Sequence, residues 1–204
     1  MYRERLQFRD NLFGWGRVLL IMQRLKLLSL AGFLMALPAF AEIAVVGDNT
    51  PQWSIRDIDG EKVRYPKDVK DSDSIVLFWT TWCPYCKALM PELKSLQTQA
   101  GVENLPVFAL QLDQESVLAE SEMYPNFRFA ENAWDVADAY GVTTVPAVFV
   151  VRKGKLIYVL DYPDSEHPSQ SMPHGSGQAA LLAQWWSQRL QAVLAESAEM
   201  ASEQ

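Results

Sequence analysis

The residues best suited to chemistry lie in one short stretch, Trp82-Cys83-Pro84-Tyr85-Cys86, which holds both cysteines of the chain. Two thiols at this spacing can close a disulfide with each other, or attack a partner's disulfide one after the other. The attacking species is the thiolate. A helix N-terminus lowers the pKa of the first thiol of such a pair from about 8.5 to between about 3.5 and about 7. Cys83 would begin that helix. Cys86, one turn further in and more buried, would be the resolving thiol that attacks the mixed disulfide. Pro84-Tyr85 between them carries no charge, and Trp82 and Tyr85 are placed to flank the sulfur and shield it. Two other readings of the pair are weaker. A disulfide closing so small a loop staples little, because its stabilisation grows with loop length. A zinc site needs two further ligands at matched spacing. The only histidines, His167 and His174, sit in a stretch rich in Pro, Ser and Gly and read as solvated loop residues. No metal and no other cofactor is expected.

The elements that must position the pair can be read from periodicity. Ser74 to Trp79 is an unbroken run rich in β-branched and aromatic residues, expected as a central strand buried on both faces. From Cys83 the pattern turns helical: Cys86, Leu89, Met90, Leu93 and Leu96 share one face, Pro84 fits the first turn, Pro91 should kink the helix and Gly101 ends it. Before this unit, Gln52–Asp57 and the segment around Val63 and Tyr65 form a hairpin about Asp59-Gly60. After it come a strand at Leu105–Leu112, a helix at Gln114–Met123, a short strand at Phe127–Phe129 and a helix at Asn132–Tyr140 closed by Gly141. Strands at Ala147–Val151 and Lys155–Leu160 flank a Lys153-Gly154 turn. Asp161–Gly177 reads as a loop. Gln178–Glu196 is an amphipathic helix with Leu182, Trp185, Trp186, Leu190, Val193 and Leu194 as its buried stripe. The succession implies an α/β fold: a mixed central sheet flanked by helices, with an N-terminal β-hairpin. The cysteine pair falls at the carboxyl end of a central strand, where open sheets place their sites.

Charge and the leader set the context. Residues 1–41 hold six of the 18 basic and two of the 25 acidic residues, so the remainder carries 12 and 23, a net charge of −11. An acidic body of this kind excludes non-specific nucleic-acid binding, which needs a basic surface. Met22-Gln23-Arg24-Leu25-Lys26 is a basic stretch, Leu27–Leu37 an apolar run, and Pro38-Ala39-Phe40-Ala41 a small-x-small cleavage pattern. This is expected to be a secretory signal, with translation starting at Met22 and cleavage after Ala41 giving a periplasmic protein. An uncleaved inner-membrane anchor is the alternative. The expected organisation is a leader over 1–41, a lead-in at 42–50, one domain at 51–197 and a flexible tail at 198–204.

Taken together, these motifs resemble the thioredoxin superfamily, and most closely its exported TlpA/ResA-like branch of thiol–disulfide oxidoreductases. The resemblance runs from Pro51-Gln52-Trp53-Ser54-Ile55 and Asp57-Ile58-Asp59-Gly60 through Phe78-Trp79-Thr80-Thr81-Trp82-Cys83-Pro84-Tyr85-Cys86, and on to Tyr140-Gly141-Val142-Thr143-Thr144-Val145-Pro146-Ala147. It implies a thioredoxin-like fold, a cis bond at Val145-Pro146, and a substrate-binding groove in which Thr144, Val145 and Pro146 face the disulfide beside Trp82, Pro84 and Tyr85. It further implies exported protein thiols or disulfides as partners, a reductase role of the cytochrome c maturation type, and a membrane redox partner that recharges the pair. A disulfide-forming oxidase of the same fold and a non-catalytic binding or chaperone module are the alternatives. The chain departs from the family twice. Leu77 stands where thioredoxins carry a buried Asp, and Leu89 where some ResA-like proteins carry a Glu; both acids are associated with proton transfer at the resolving thiol.

Overall fold

A computed structural model describes residues 44–69, 71–99, 105–161 and 177–202. All fall in the second of the chain's two units, Ala41–Gln204. The expected leader, the loop containing His167 and His174, and Gly101 lie outside the described residues.

The elements run in the order β1 (Trp53–Arg56), β2 (Lys62–Tyr65), a 3-10 turn at Lys67–Val69, β3 (Asp73–Trp79), α1 (Pro84–Leu96), β4 (Val107–Gln111), α2 (Leu118–Met123), β5 (Phe127–Ala130), α3 (Trp134–Tyr140), β6 (Ala147–Arg152), β7 (Lys155–Asp161) and α4 (Gln178–Ser202). A five-stranded sheet has the order β5-β4-β3-β6-β7, and β1 and β2 form a separate antiparallel pair. β3 lies parallel to β4 and antiparallel to β6, and β4 lies parallel to β5. The parallel pairs need crossovers, which α1 and α2 supply, while β6 and β7 need only a tight turn. Lys153 and Gly154 both take positive φ there, 46° and 79°, as a two-residue hairpin turn requires.

Alternation along β3 divides the core. Ile75, Leu77 and Trp79 face one cluster together with Leu89, Met90 and Leu93 of α1 and Leu182, Trp186 and Leu190 of α4. Val76 and Phe78 face the other, with Val136, Ala137 and Tyr140 of α3 and Trp53, Val63 and Tyr65 of the hairpin. The sheet is thus covered on both sides, as the continuous apolar run of β3 demands. This is the mixed, helix-flanked thioredoxin-like architecture expected from the sequence.

Several boundaries differ from expectation. α1 continues past Pro91 and ends at Leu96 with Gln97 as its C-cap. α2 begins at Leu118 rather than Gln114, because side chains at the end of β4 hold the intervening residues in a loop: the Gln111 amide donates to the Glu115 carbonyl at 2.6 Å. α3 begins at Trp134 rather than Asn132, whose φ of 55° is not helical. α4 runs on to Ser202.

Candidate active site

β3 delivers the chain to the carboxyl edge of the sheet, and a tight turn carries it into α1. The turn is closed by the Cys83 N–H donating to the Thr80 carbonyl at 3.2 Å. Cys83 is the N-cap of α1 rather than its first helical residue, with extended backbone (φ −79°, ψ 110°), and Pro84 follows at the first position. Proline costs nothing there because that N–H has no helical partner. The Cys83 sulfur takes the role usually filled by a capping oxygen and accepts from the Cys86 N–H at 3.2 Å. This is the helix N-terminus geometry that stabilises a thiolate.

Cys83 and Cys86 are joined as a disulfide with Cα atoms 5.3 Å apart. Both cysteines are buried, Cys83 at 2% exposure and Cys86 completely, and Cys86 lies one turn further into α1. Across from them the Val145-Pro146 peptide bond is cis. The Val145 carbonyl oxygen lies 3.8 Å from the Cys83 sulfur. Thr144 and Val145 are half-buried and Pro146 is buried, so the loop borders the disulfide as the resemblance implied. Pro84 is exposed. Tyr85 is half-buried, and its hydroxyl donates to Gln178 Oε1 at 3.3 Å, tying the site to the first turn of α4. Trp82 is 70% exposed and presents most of its indole to solvent.

The chain beneath the pair is hydrocarbon. Leu77 and Leu89 are fully buried in the same cluster as Cys83 and Cys86. A buried carboxylate does occur on α2: Glu120 Oε1 lies 3.3 Å from the Nζ of Lys87, the residue that follows Cys86. The basic side chain next to the pair is thereby directed to Glu120. Polar groups gather instead at the ends of β3 and β4. Asp113 Oδ2 accepts from both the backbone N–H (3.0 Å) and the hydroxyl of Thr81, which fixes the turn into Cys83. Trp79 Nε1, Thr80 Oγ1, Gln111 Oε1 and Asp113 Oδ1 are buried without a hydrogen-bond partner among the described residues.

Asp113, Gln111, Gln178 and the Lys87–Glu120 pair did not emerge from the sequence reading. A signal existed for Gln111, a lone amide inside the apolar run Val-Phe-Ala-Leu-Gln-Leu.

A strand-turn-helix with a capping cysteine pair beside a cis-proline defines the class as thioredoxin-like. Family comparison agrees: residues 46–159 match the AhpC/TSA family, and the chain belongs to it. Among curated relatives, it is 27% identical over 117 residues to the thiol-disulfide oxidoreductase ResA of Bacillus thuringiensis subsp. konkukian, covering 55% of this chain and 67% of that one. Over 119 residues it is 24% identical to ResA of Bacillus subtilis, covering 56% and 66%. Among solved structures, a candidate thiol:disulfide interchange protein DsbE from Chlorobium tepidum superposes with a TM-score of 0.54 at 21% identity, covering 74% of this chain and 99% of that one. The protein is a thiol–disulfide oxidoreductase of thioredoxin-like fold built on the Cys83–Cys86 pair.

Proposed function

We propose that the protein is an exported, periplasmic reductase of disulfides in other exported proteins. The Cys83 thiolate attacks a partner disulfide, forming a mixed disulfide and releasing one partner thiolate. The Cys86 thiol, losing its proton, then attacks the Cys83 sulfur, releasing the second partner thiol and closing the Cys83–Cys86 bond. The partner gains two electrons and the pair loses two. A membrane redox partner must therefore return the pair to the dithiol, since the chain has no third cysteine.

The observation that carries the reductive direction is the absence of formal positive charge at the pair. Trp82 to Cys86 contains no charged residue, and Lys87 is engaged by Glu120. Cys83 receives the helix N-terminus and one N–H, while Cys86 is set among apolar side chains. With no free cation beside it among the described residues, the reduced pair lacks the added charge stabilisation that makes a dithiol a strong oxidant; strong oxidants of this fold are those whose reduced form is stabilised. Export rests on the Met22–Ala41 signature.

Redox titration of the purified protein tests the direction. A potential near or below about −270 mV is expected, whereas one near about −120 mV would make the protein an oxidase. The intact mass of protein recovered from the periplasm checks export: the expected N-terminus is Glu42.

A further inference from the structure

The carboxyl edge of the sheet holds more than the disulfide. Trp134 is a large apolar side chain left 55% exposed, comparable to Trp82. It stands one residue beyond Ala133, whose N–H donates to the carbonyl of Gln111 at 3.0 Å. Trp82 stands one residue beyond Thr81, whose N–H donates to Asp113. The backbone just before each tryptophan is therefore held at the same end of β4, on the β5 side for Ala133 and the β3 side for Thr81, because β4 lies between β5 and β3. The order along this edge is Trp134, Asp113, Trp82 with Cys83, then Val145-Pro146.

The segments that form the edge, 80–83, 112–117, 131–135 and 141–146, contain Asp113, Glu115, Glu131 and Asp135 and no lysine, arginine or histidine. Glu115, Glu131 and Asp135 are exposed and make no ion pair among the described residues. Two open indole faces among unpaired carboxylates suit one kind of occupant. Cations are attracted both by the ring quadrupole and by the carboxylates, while an acidic segment would be repelled. Adjacent strands are about 4.8 Å apart, so β3 to β5 spans about 10 Å. An extended chain covers that distance in about three residues.

We infer that the substrate surface extends past the cis-proline groove to Trp134, and that it takes a polypeptide carrying lysine or arginine about three residues from the cysteine under attack. This rests on the disulfide exchange proposed above and names its substrate class. Glu131 and Asp135 supply the charge at the far end, and Trp134 supplies the apolar and cation–π contact.

The test compares two peptides, each with one disulfide, identical except for lysine or glutamate about three residues from the cysteine. The expected kcat/KM at low salt favours the lysine peptide by on the order of 10-fold, chiefly through KM, and the ratio shrinks at high salt. Trp134→Ala and Glu131→Lys should each pull the ratio toward one, and both sites are exposed, so folding is preserved. A ratio of one in the wild type, or a ratio unmoved by both substitutions, overturns the inference. Titration of the oxidised protein with a cysteine-free lysine peptide separates peptide binding at this surface from disulfide exchange. Binding that Trp134→Ala weakens, without turnover of either disulfide, would retain the surface and remove the exchange reading. Turnover with no preference would do the reverse.

Discussion

The two faces of the central sheet bury different things. On the α1/α4 face, Leu77, Leu89, Met90, Leu93 and Trp186 pack around the buried cysteine. On the opposite face a set of hydroxyls is sealed beneath the N-terminal hairpin. Thr50 Oγ1 and Tyr140 OH are 2.7 Å apart, Trp53 Nε1 donates to the same phenol at 3.3 Å, and Tyr65 OH meets Ser74 Oγ at 2.8 Å. Buried polar groups are tolerable when they are paired, and this network is paired within itself, so it serves to dock the hairpin. At the carboxyl edge of the sheet, Trp79 Nε1, Thr80 Oγ1, Gln111 Oε1 and Asp113 Oδ1 are buried without such pairing among the described residues. The lesson is a division of labour: hydrogen bonds hold the lid of the distal face, and apolar packing holds the redox pair.

The sharpest way to break that contrast is to truncate the hydrocarbon beside the pair. Leu89→Ala should cost about 2–5 kcal/mol in denaturant unfolding of the oxidised protein, the range for a fully buried leucine. A loss under about 1 kcal/mol would mean the pair is not held by packing.

The distal face predicts a smaller effect with a pH signature. Burial pushes the Tyr140 phenol up to about 12 from 10.0, and burial, followed by repulsion from Tyr140, pushes Tyr65 up as well. The unfolded chain therefore loses these protons first. The stabilisation is complete below pH 10 and is lost as the pH rises through about 12. Tyr140→Phe should cost about 1 kcal/mol at neutral pH and flatten the alkaline loss, leaving the share due to Tyr65. Urea unfolding followed across this range checks both, and an unchanged slope would show that Tyr140 does not contribute.

Much of this was legible in the chain because it depends on local pattern. The apolar run of β3, the helical spacing after Cys83 and the Lys153-Gly154 turn each specify an element without reference to distant residues. The elements that shifted did so through side-chain bonds and a backbone conformation that leave no periodic trace in the sequence. Asp113 reaches back to Thr81 and Gln111 reaches forward to Glu115, so α2 starts late; neither bond has a periodic signature. Asn132 adopts a left-handed backbone, which asparagine tolerates, and this delays α3. The cis bond at Tyr65-Pro66 was not anticipated. The site's cysteines were evident from spacing, but the carboxylates and the second tryptophan along its edge needed the sheet order to bring them together.

The central claim is that Cys83 attacks and Cys86 resolves. It is tested most directly by exposing the reduced Cys86→Ser and Cys83→Ser proteins to a model disulfide and following adduct formation by intact mass. Cys86→Ser is expected to accumulate a mixed disulfide on Cys83, while Cys83→Ser, whose remaining thiol lies one turn inside α1 and is fully buried, is expected to form adduct far more slowly. Capture at Cys86 at a rate comparable to that at Cys83 would contradict it.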